Sequence, residues 1–453
     1  MKKEKLFLFI AIGAFVVSIL VLIVLLVNSG DDERDDQTED PPAGIERPTR
    51  PADSELSGAI TFNWWGDEEF NQATRAVAEL FMDLNPDVVI HMEYSLENNW
   101  QADMTDGLEI GAVADLMQVN FDWLTIYSPL GDVFMDLEDA QIANYLDLSN
   151  WNSQYIDMMR RDGVVQGIPV GMTARVPLMR TDIYEAAGLD VQDINTWENL
   201  IDAGRAIQEY HGNDVFALSP LEPQVMAYMM FSYIEQLTGR PFVDENFQFD
   251  YTLEELERGF QLIQNFMDNG VMPSWYATTD PLWIEDDWGG VSEWDSSISR
   301  WINGLENGEE VLEIRPHFTM DGALSTGWMS RPSTIFAISA EAEYPEVVAA
   351  FLNFMLTDEE AIEIMGTHHG VPLNSIGRSH FDALALEGLA VEASAIHANA
   401  ETTIMNPIFE FPEVREVYES QLLAIFYGIT TVEEAAAFVY SHMQGIIDAF
   451  VVR

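Results

Sequence analysis

Lys2, Lys3 and Lys5 are the only lysines in the chain, and the uncharged run Leu6 to Val27 follows them directly. At about 1.5 Å rise per residue, such a run is long enough to cross the roughly 30 Å apolar core of a bilayer as a helix. Cations favour the cytoplasmic side, so the run should lead outward and leave everything after Asn28 outside the cell. Its length exceeds the roughly 7–15 apolar residues of a cleaved signal segment, which favours an uncleaved anchor. The chain is therefore expected at the cell membrane, single-pass, with its folded part extracellular.

Composition narrows the possible partners. The 453 residues carry a formal charge of −57, and 48 % of them are hydrophobic. The apolar content is enough to bury a large core, and the length suggests more than one lobe. So negative a surface repels nucleic-acid phosphates. Past Lys5 every strong base is arginine, which stays charged well above the lysine pKa of about 10.4. That choice suits an alkaline medium, with a saline one as the alternative. With no cysteine, disulfides, thiol catalysis and cysteine metal sites are excluded.

From Ser29 to about Ser57 the chain is acidic, proline-containing and poor in large apolar residues, as expected of a self-repelling tether (28–57). Strand signals follow at Ala59–Trp65, Val88–Tyr94 and Ala114–Val119, with helical spacing from Asn71 to Leu84 between the first two. The β-α-β-α-β order predicts a mainly parallel sheet with helices on its faces. Gly167–Gly171 leading into Val176–Met179 is a crossover candidate, and Ser333–Ser339 reads as another strand. Thr196 is placed to cap a helix to about Tyr210, and Pro345–Leu356 reads as an amphipathic helix. Capping boxes are expected at Thr252/Glu255, Thr357/Glu360 and Thr431/Glu434.

No nucleophile elbow, Walker loop, dinucleotide fingerprint or HExxH motif occurs. Adjacent His368 and His369 would face opposite sides of an extended segment, which makes a polar turn the simpler reading than a metal site. Asp286 and Asp287 could suggest glycoside hydrolysis, but adjacent acids are expected by chance in so acidic a chain. Tryptophans near turns carry more information: Trp64 and Trp65, then Trp123 after Asn120 and Asp122, then Trp283, Trp288, Trp294, Trp301 and Trp328. Tryptophan is mostly a core residue, and Trp301 has the spacing of a helix interior. Yet ligands of open α/β sheets bind beyond the carboxyl ends of strands. Indoles beside Asp and Asn at several strand ends fit a sugar cleft, with rings stacking on C–H faces and polar groups holding hydroxyls.

The stretch ITFNWWGDEEFNQATRAVAELFMDLNPDVVIHMEY resembles the opening of the family 1 extracellular solute-binding proteins of carbohydrate ABC importers. ADLMQVNFDW, DGVVQGIPVG, GLDVQDINTWENL, GWMSRPSTIFAIS, PEVVAAFLNFMLTDEEA and GVPLNS follow in the same order. The resemblance implies an α/β, two-lobed periplasmic-binding-protein-like fold of type II. Each lobe would be a mixed sheet flanked by helices, and here one transmembrane helix (6–27) would precede them after a cytoplasmic cationic end (1–5). Lobe one would be 58–173 plus 328–372, and lobe two 174–327 plus 373–453. The cleft between them would hold Trp65, Asp67, Glu68, Asn120, Asp122, Trp123, Thr173, Arg175, Trp294, Asp295, Trp328 and Arg331. The implied partners are a sugar or oligosaccharide and ABC transporter permease subunits, bound by a monomer without cofactor, metal or catalysis. The membrane helix would stand in for the lipid-bearing cysteine usual in Gram-positive members. The alternatives are a surface glycoside hydrolase using paired carboxylates and a sensory or adhesive protein of the same fold.

Overall fold

A computed structural model describes residues 56–95, 107–108, 110, 113–128, 132–244, 246–274, 287–305, 307–368, 370–398 and 400–451. The expected anchor, most of the acidic tether, Trp283, Asp286 and His369 lie outside the described residues. Among those residues no helix is long and apolar enough to cross a membrane.

Strand β1, Gly58–Trp65, shows why the first strand forms. Ile60, Phe62 and Trp64 alternate with half-buried Thr61, Asn63 and Trp65, and the first set is sealed at 0–1 % exposure. Helix α1, Glu68–Leu84, begins three residues earlier than its apolar spacing suggests, because the Asp67 side chain caps it by accepting from the Phe70 N–H at 2.8 Å. Glu68 and Glu69 complement the helix dipole in the first turn. Buried Asn71 then accepts from the Trp64 indole N–H at 2.9 Å, so the helix is tied to the strand by one polar contact within an apolar face. Asn85 ends the helix, and β2, Val88–Ser95, pairs parallel to β1. Strand β3, Leu116–Val119, flanks the other side of β1, also parallel. The Asp115 carboxylate clamps the two by accepting from both the N–H and the hydroxyl of Thr61 at 2.8 Å.

The further elements that bear on the site and core are β4 (Ile168–Arg180), α2 (Trp197–His211), α3 (Pro223–Thr238), α4 (Leu253–Asp268), β5 (Gly290–Trp294), β6 (Leu312–Ile314), β7 (Met329–Ile338), α5 (Pro345–Thr357), α6 (Glu359–Met365), β8 (Thr403–Ile404), α7 (Pro412–Phe426) and α8 (Val432–Val451). The main sheet runs β2-β1-β3-β7-β4-β5, with β8 pairing β7 and β6 pairing β4. Only the pairs of β1 with β2 and β3, and of β8 with β7, are parallel. The rest are antiparallel, so the mainly parallel expectation fails beyond the first three strands.

Buried apolar residues gather in two large clusters and a small one. One holds β1–β3, α1, α5 and the Ile335–Ile338 end of β7. The other large one holds α2–α4, α7 and α8. The small one joins Ala174, Val176 and Leu178 of β4 to β5, β6 and Trp328. Strand β4 passes from one system to the next, with Ile168 and Val170 in the first cluster and Met179 in the second. Its register against β7 is irregular at Pro169, Gly171 and Met172, where a bulge re-aims the chain between the two systems.

The capping boxes at Thr252/Glu255 and Thr431/Glu434 are present. The expected box at Thr357/Glu360 is not. Asp358 caps α6 instead, accepting from the Glu360 and Ala361 N–H groups, and the Thr357 hydroxyl turns back to the Asn353 carbonyl. A carboxylate one residue closer to the helix satisfies the same orphan donors, so the threonine loses the competition.

Gly204, inside α2, marks a close crossing: a Cβ there would lie 2.5 Å from the Asn269 carbonyl oxygen and 2.7 Å from the Val271 nitrogen. Alanine is the better helix former by about 1 kcal/mol. Overpacking against backbone costs about 1–3 kcal/mol, so Gly204→Ala should destabilise the fold, read as a lower urea midpoint. A raised midpoint would show that helix propensity wins.

Candidate functional site

A cavity of about 1390 Å³ opens beyond the ends of β1 and β3 and over the middle of β4 and β7. Trp65, Gly66, Asp67 and Phe70 reach it from the end of β1 and the start of α1. Asn120 and Asp122 follow β3. Thr173 and Arg175 come from β4, Glu293 and Trp294 from β5, and Arg331 and Ser333 from β7. Glu410, Pro412 and Arg415 enter at the start of α7.

Register assembles the floor. Arg175 pairs directly with Trp294 of β5, and Thr173, two residues away on the same face, pairs with Arg331 of β7. Residues i and i+2 of a strand share a face, and direct cross-strand partners sit about 4.5–5.5 Å apart at Cβ. Both guanidiniums therefore end over the Trp294 indole, Arg331 at 4.6 Å and Arg175 at 4.7 Å from its centroid. Tyr228 of α3 meets that indole edge-on at 5.2 Å. The family resemblance placed Trp294 in the cleft; in the structure guanidiniums lie over its indole.

The charges are unequally satisfied. Arg175 donates to the Ser292 carbonyl at 2.8 Å, with the Glu293 carboxylate 3.8 Å away. Glu293 also accepts from the Trp301 indole at 2.8 Å and from Arg300 at 2.9 Å. Among the described residues the Arg331 side chain makes no hydrogen bond, and Glu410 lies 3.4 Å from its Nε. Glu410 meanwhile accepts from the Tyr228 hydroxyl at 2.9 Å. Burial pushes the Asp122 carboxyl up to about 7. Repulsion by Glu410 adds to this, while Arg331 and Arg415 pull the other way.

Of the residues expected in the cleft, Trp65, Asp67, Asn120, Asp122, Thr173, Arg175, Trp294 and Arg331 line this one cavity. Four do not. Glu68 lies on the exposed side of α1, where it accepts from Gln72. Trp123 is 1 % exposed and packs behind Trp65, centroids 5.7 Å apart. Asp295 is sealed beneath the floor, accepting from the Thr173 hydroxyl, the Ala174 and Ser296 N–H groups, and facing His397 Nδ1 at 3.2 Å. Trp328 is buried and spends its indole N–H on the Arg175 carbonyl at 2.9 Å. Tyr228 beside the indole, and Glu293, Glu410 and Arg415 on the wall, were not expected. Glu410 precedes a Phe-Pro helix start, a signal for a helix and not for a ligand.

Asp122 gives a signed test. Folded, its carboxyl keeps a proton up to about pH 7, against an ordinary value of 3.8. Between these values the folded state binds the extra proton, so stability falls as the pH rises through this window. Asp122→Asn removes that loss. Its stability should approach or exceed that of the parent chain as the pH rises from 4 to 7, by at most about 4 kcal/mol, and then level off. Urea unfolding at pH 5 and pH 8 reads the difference. A gap that does not change with pH would contradict the carboxyl's buried, proton-holding state.

Residues 76–375 match the family described as bacterial extracellular solute-binding protein. A lactose-binding protein of Rhizobium radiobacter is 24 % identical over 181 residues, 39 % of this chain and 42 % of its own length. An arabinooligosaccharide-binding protein of Halalkalibacterium halodurans is 23 % identical over 220 residues, 47 % of this chain and 48 % of its own length. The chain thus spans less than half the length of these curated relatives. A solved structure, the periplasmic oligogalacturonide binding protein of Yersinia enterocolitica with saturated digalacturonic acid, is 25 % identical. Its TM-score is 0.79, and the match covers 86 % of this chain and 99 % of that one. The fold is accordingly the two-domain α/β arrangement of periplasmic binding proteins. With its family match running over most of the sequence, the chain belongs to the bacterial extracellular solute-binding proteins.

Proposed function

We propose that this protein captures a sugar or oligosaccharide outside the cell and delivers it to an ABC importer. The observation that carries the reading is the cavity itself. At about 1390 Å³ it exceeds the roughly 300–1,000 Å³ of ordinary small-molecule sites, which suits an oligomer better than a single ring. Trp65, Phe70 and Trp301 bring aromatic surface to its walls, while Asn120, Thr173, Ser333 and several carboxylates bring hydrogen-bonding groups. This is the mixture a polyhydroxylated guest requires. The relatives named above bind lactose, arabinooligosaccharides and a digalacturonic acid, all saccharides.

The lobes proposed are 58–173 plus 328–372 and 174–327 plus 373–453. In support, β1–β3 and α2–α4 bury their apolar faces in different clusters, with β4 and β7 contributing to both systems. A guest touching both lobes favours the closed form by its differential affinity, and importer permeases would recognise that form. Binding is the whole action: the reading requires no bond to break and no cofactor. Leu6–Val27 is proposed as the anchor, and 28–57 as a tether that raises the effective concentration of the receptor near its transporter. The protein acts as a monomer.

Titration calorimetry of the full-length protein against di- to pentasaccharides should show stoichiometric binding with no new products. Trp65→Ala should weaken that binding about tenfold, or about 1.4 kcal/mol, at a temperature where the variant is fully folded. Progressive cleavage of the glycan would replace the receptor by a hydrolase, and unaltered affinity would remove Trp65 from the site.

A further inference from the structure

We infer that the guest is an acidic oligosaccharide, a chain of uronic acids, and that Arg331 takes a carboxylate of it. The inference rests on the oligosaccharide reading above and narrows it.

Arg331 is an anomaly of this chain. Seventy-seven acids face 20 strong bases, so carboxylates are plentiful as partners for arginine. Arg160, Arg180, Arg205, Arg240, Arg258, Arg378 and Arg415 each hydrogen-bond at least one. The Arg331 side chain, only 18 % exposed, shows no hydrogen bond among the described residues. Glu410 is close but lies 3.4 Å from Nε and is shared with Tyr228. Nε is fully enclosed and unsatisfied, and Arg331 lines the cavity. Leaving a mostly buried guanidinium without hydrogen bonds is costly unless a partner arrives.

Geometry defines that partner. Arg331 lies over the Trp294 indole, Cζ 4.6 Å from its centroid, and a guanidinium held against a ring can still use its N–H groups for a ligand. A planar group with two oxygens matches such an edge by two parallel hydrogen bonds, and a carboxylate does so with full charge. Arg175 over the same indole adds a second positive charge nearby. Asp122, with its carboxyl raised to about 7, holds a proton in mildly acidic medium and then leaves this field uncancelled. Glu222, Glu293, Glu410 and Arg415 are the other charges acting on the pair, and Asp67, Glu69, Arg300, Glu416 and Glu419 line the cavity further out, so the positive charge is confined to the floor. The overall charge of −57 repels anions at long range, so recognition of an acid must be local.

Calorimetry of the full-length protein at pH 6 should compare galacturonate, mannuronate and glucuronate oligomers with their methyl esters and with neutral oligomers of equal length. At least one uronate series should bind, with its ester at least tenfold weaker. Arg331→Gln should erase that preference, Arg331→Lys should keep part of it, and the exposed-helix variant Arg258→Gln should keep all of it. If esters or neutral oligomers bind as tightly as the acids, the carboxylate inference falls while the oligosaccharide reading stands. If no saccharide binds, the reading falls and takes the inference with it. The ester comparison on the unaltered protein decides the matter even if the Arg331 variants do not fold.

Discussion

The antiparallel ladder between β4 and β7 is the constraint on which the rest depends. It runs from Ile168 opposite Phe336 to Ala174 opposite Ser330. Each strand carries residues of different apolar clusters along its length, so backbone hydrogen bonds join systems whose side chains do not mix. The same ladder fixes the cavity floor. Thr173 faces Arg331 across it, and Arg175 faces Trp294 one strand further on. A one-residue slip would turn all four to the opposite face and dissolve the cation–indole cluster. Fold and site are thus specified by one register, and the bulge near Gly171 concentrates the departure from regularity just beside the site.

Much of this was legible because it is local. Alternation named β1, and threonine with glutamate three residues on named the starts of α4 and α8. Where two local signals overlapped, the nearer carboxylate won, as at Asp358. The long crossing strands were harder. Pro169, Gly171 and Pro177 interrupt the strand pattern of β4, so one element of Ile168–Arg180 reads as two fragments. Strand direction was the least legible feature: helical punctuation predicts parallel pairing for β1–β3, but nothing local says that β4 and β7 run against each other.

The site was legible by position and not by orientation. Strand ends nominated Trp65, Asn120 and Asp122, all of which line the cavity. The same rule nominated Trp123, which follows them by one residue and turns into the core. A tryptophan at a strand end is equally able to cover the sheet or face the ligand, and its neighbours in three dimensions decide. Asp295 shows the converse. Its carboxylate looks like a sugar acceptor in sequence, yet it is consumed by four internal partners that hold the β4–β5 junction. Tyr228 and Glu410 carry no nominating signal because they arrive from distant elements.

Electrostatics explains why the positive floor is built this way. In a chain so rich in acids, an exposed base is soon compensated by a neighbouring carboxylate, as Arg258 is by Glu254 on the surface of α4. A positive site can persist only where access is restricted and competing carboxylates are otherwise employed. Burial against Trp294 supplies the first condition. The second is met on both sides: Glu293 is shared among Arg300 and the Trp301 indole, and Glu410 is shared with Tyr228. Arginine suits the task better than lysine, since its weakly hydrated, planar head can stack and still present donors at its edge. Past Lys5 every strong base is arginine, and that choice provides the side chain best able to keep a sheltered positive charge inside an acidic protein.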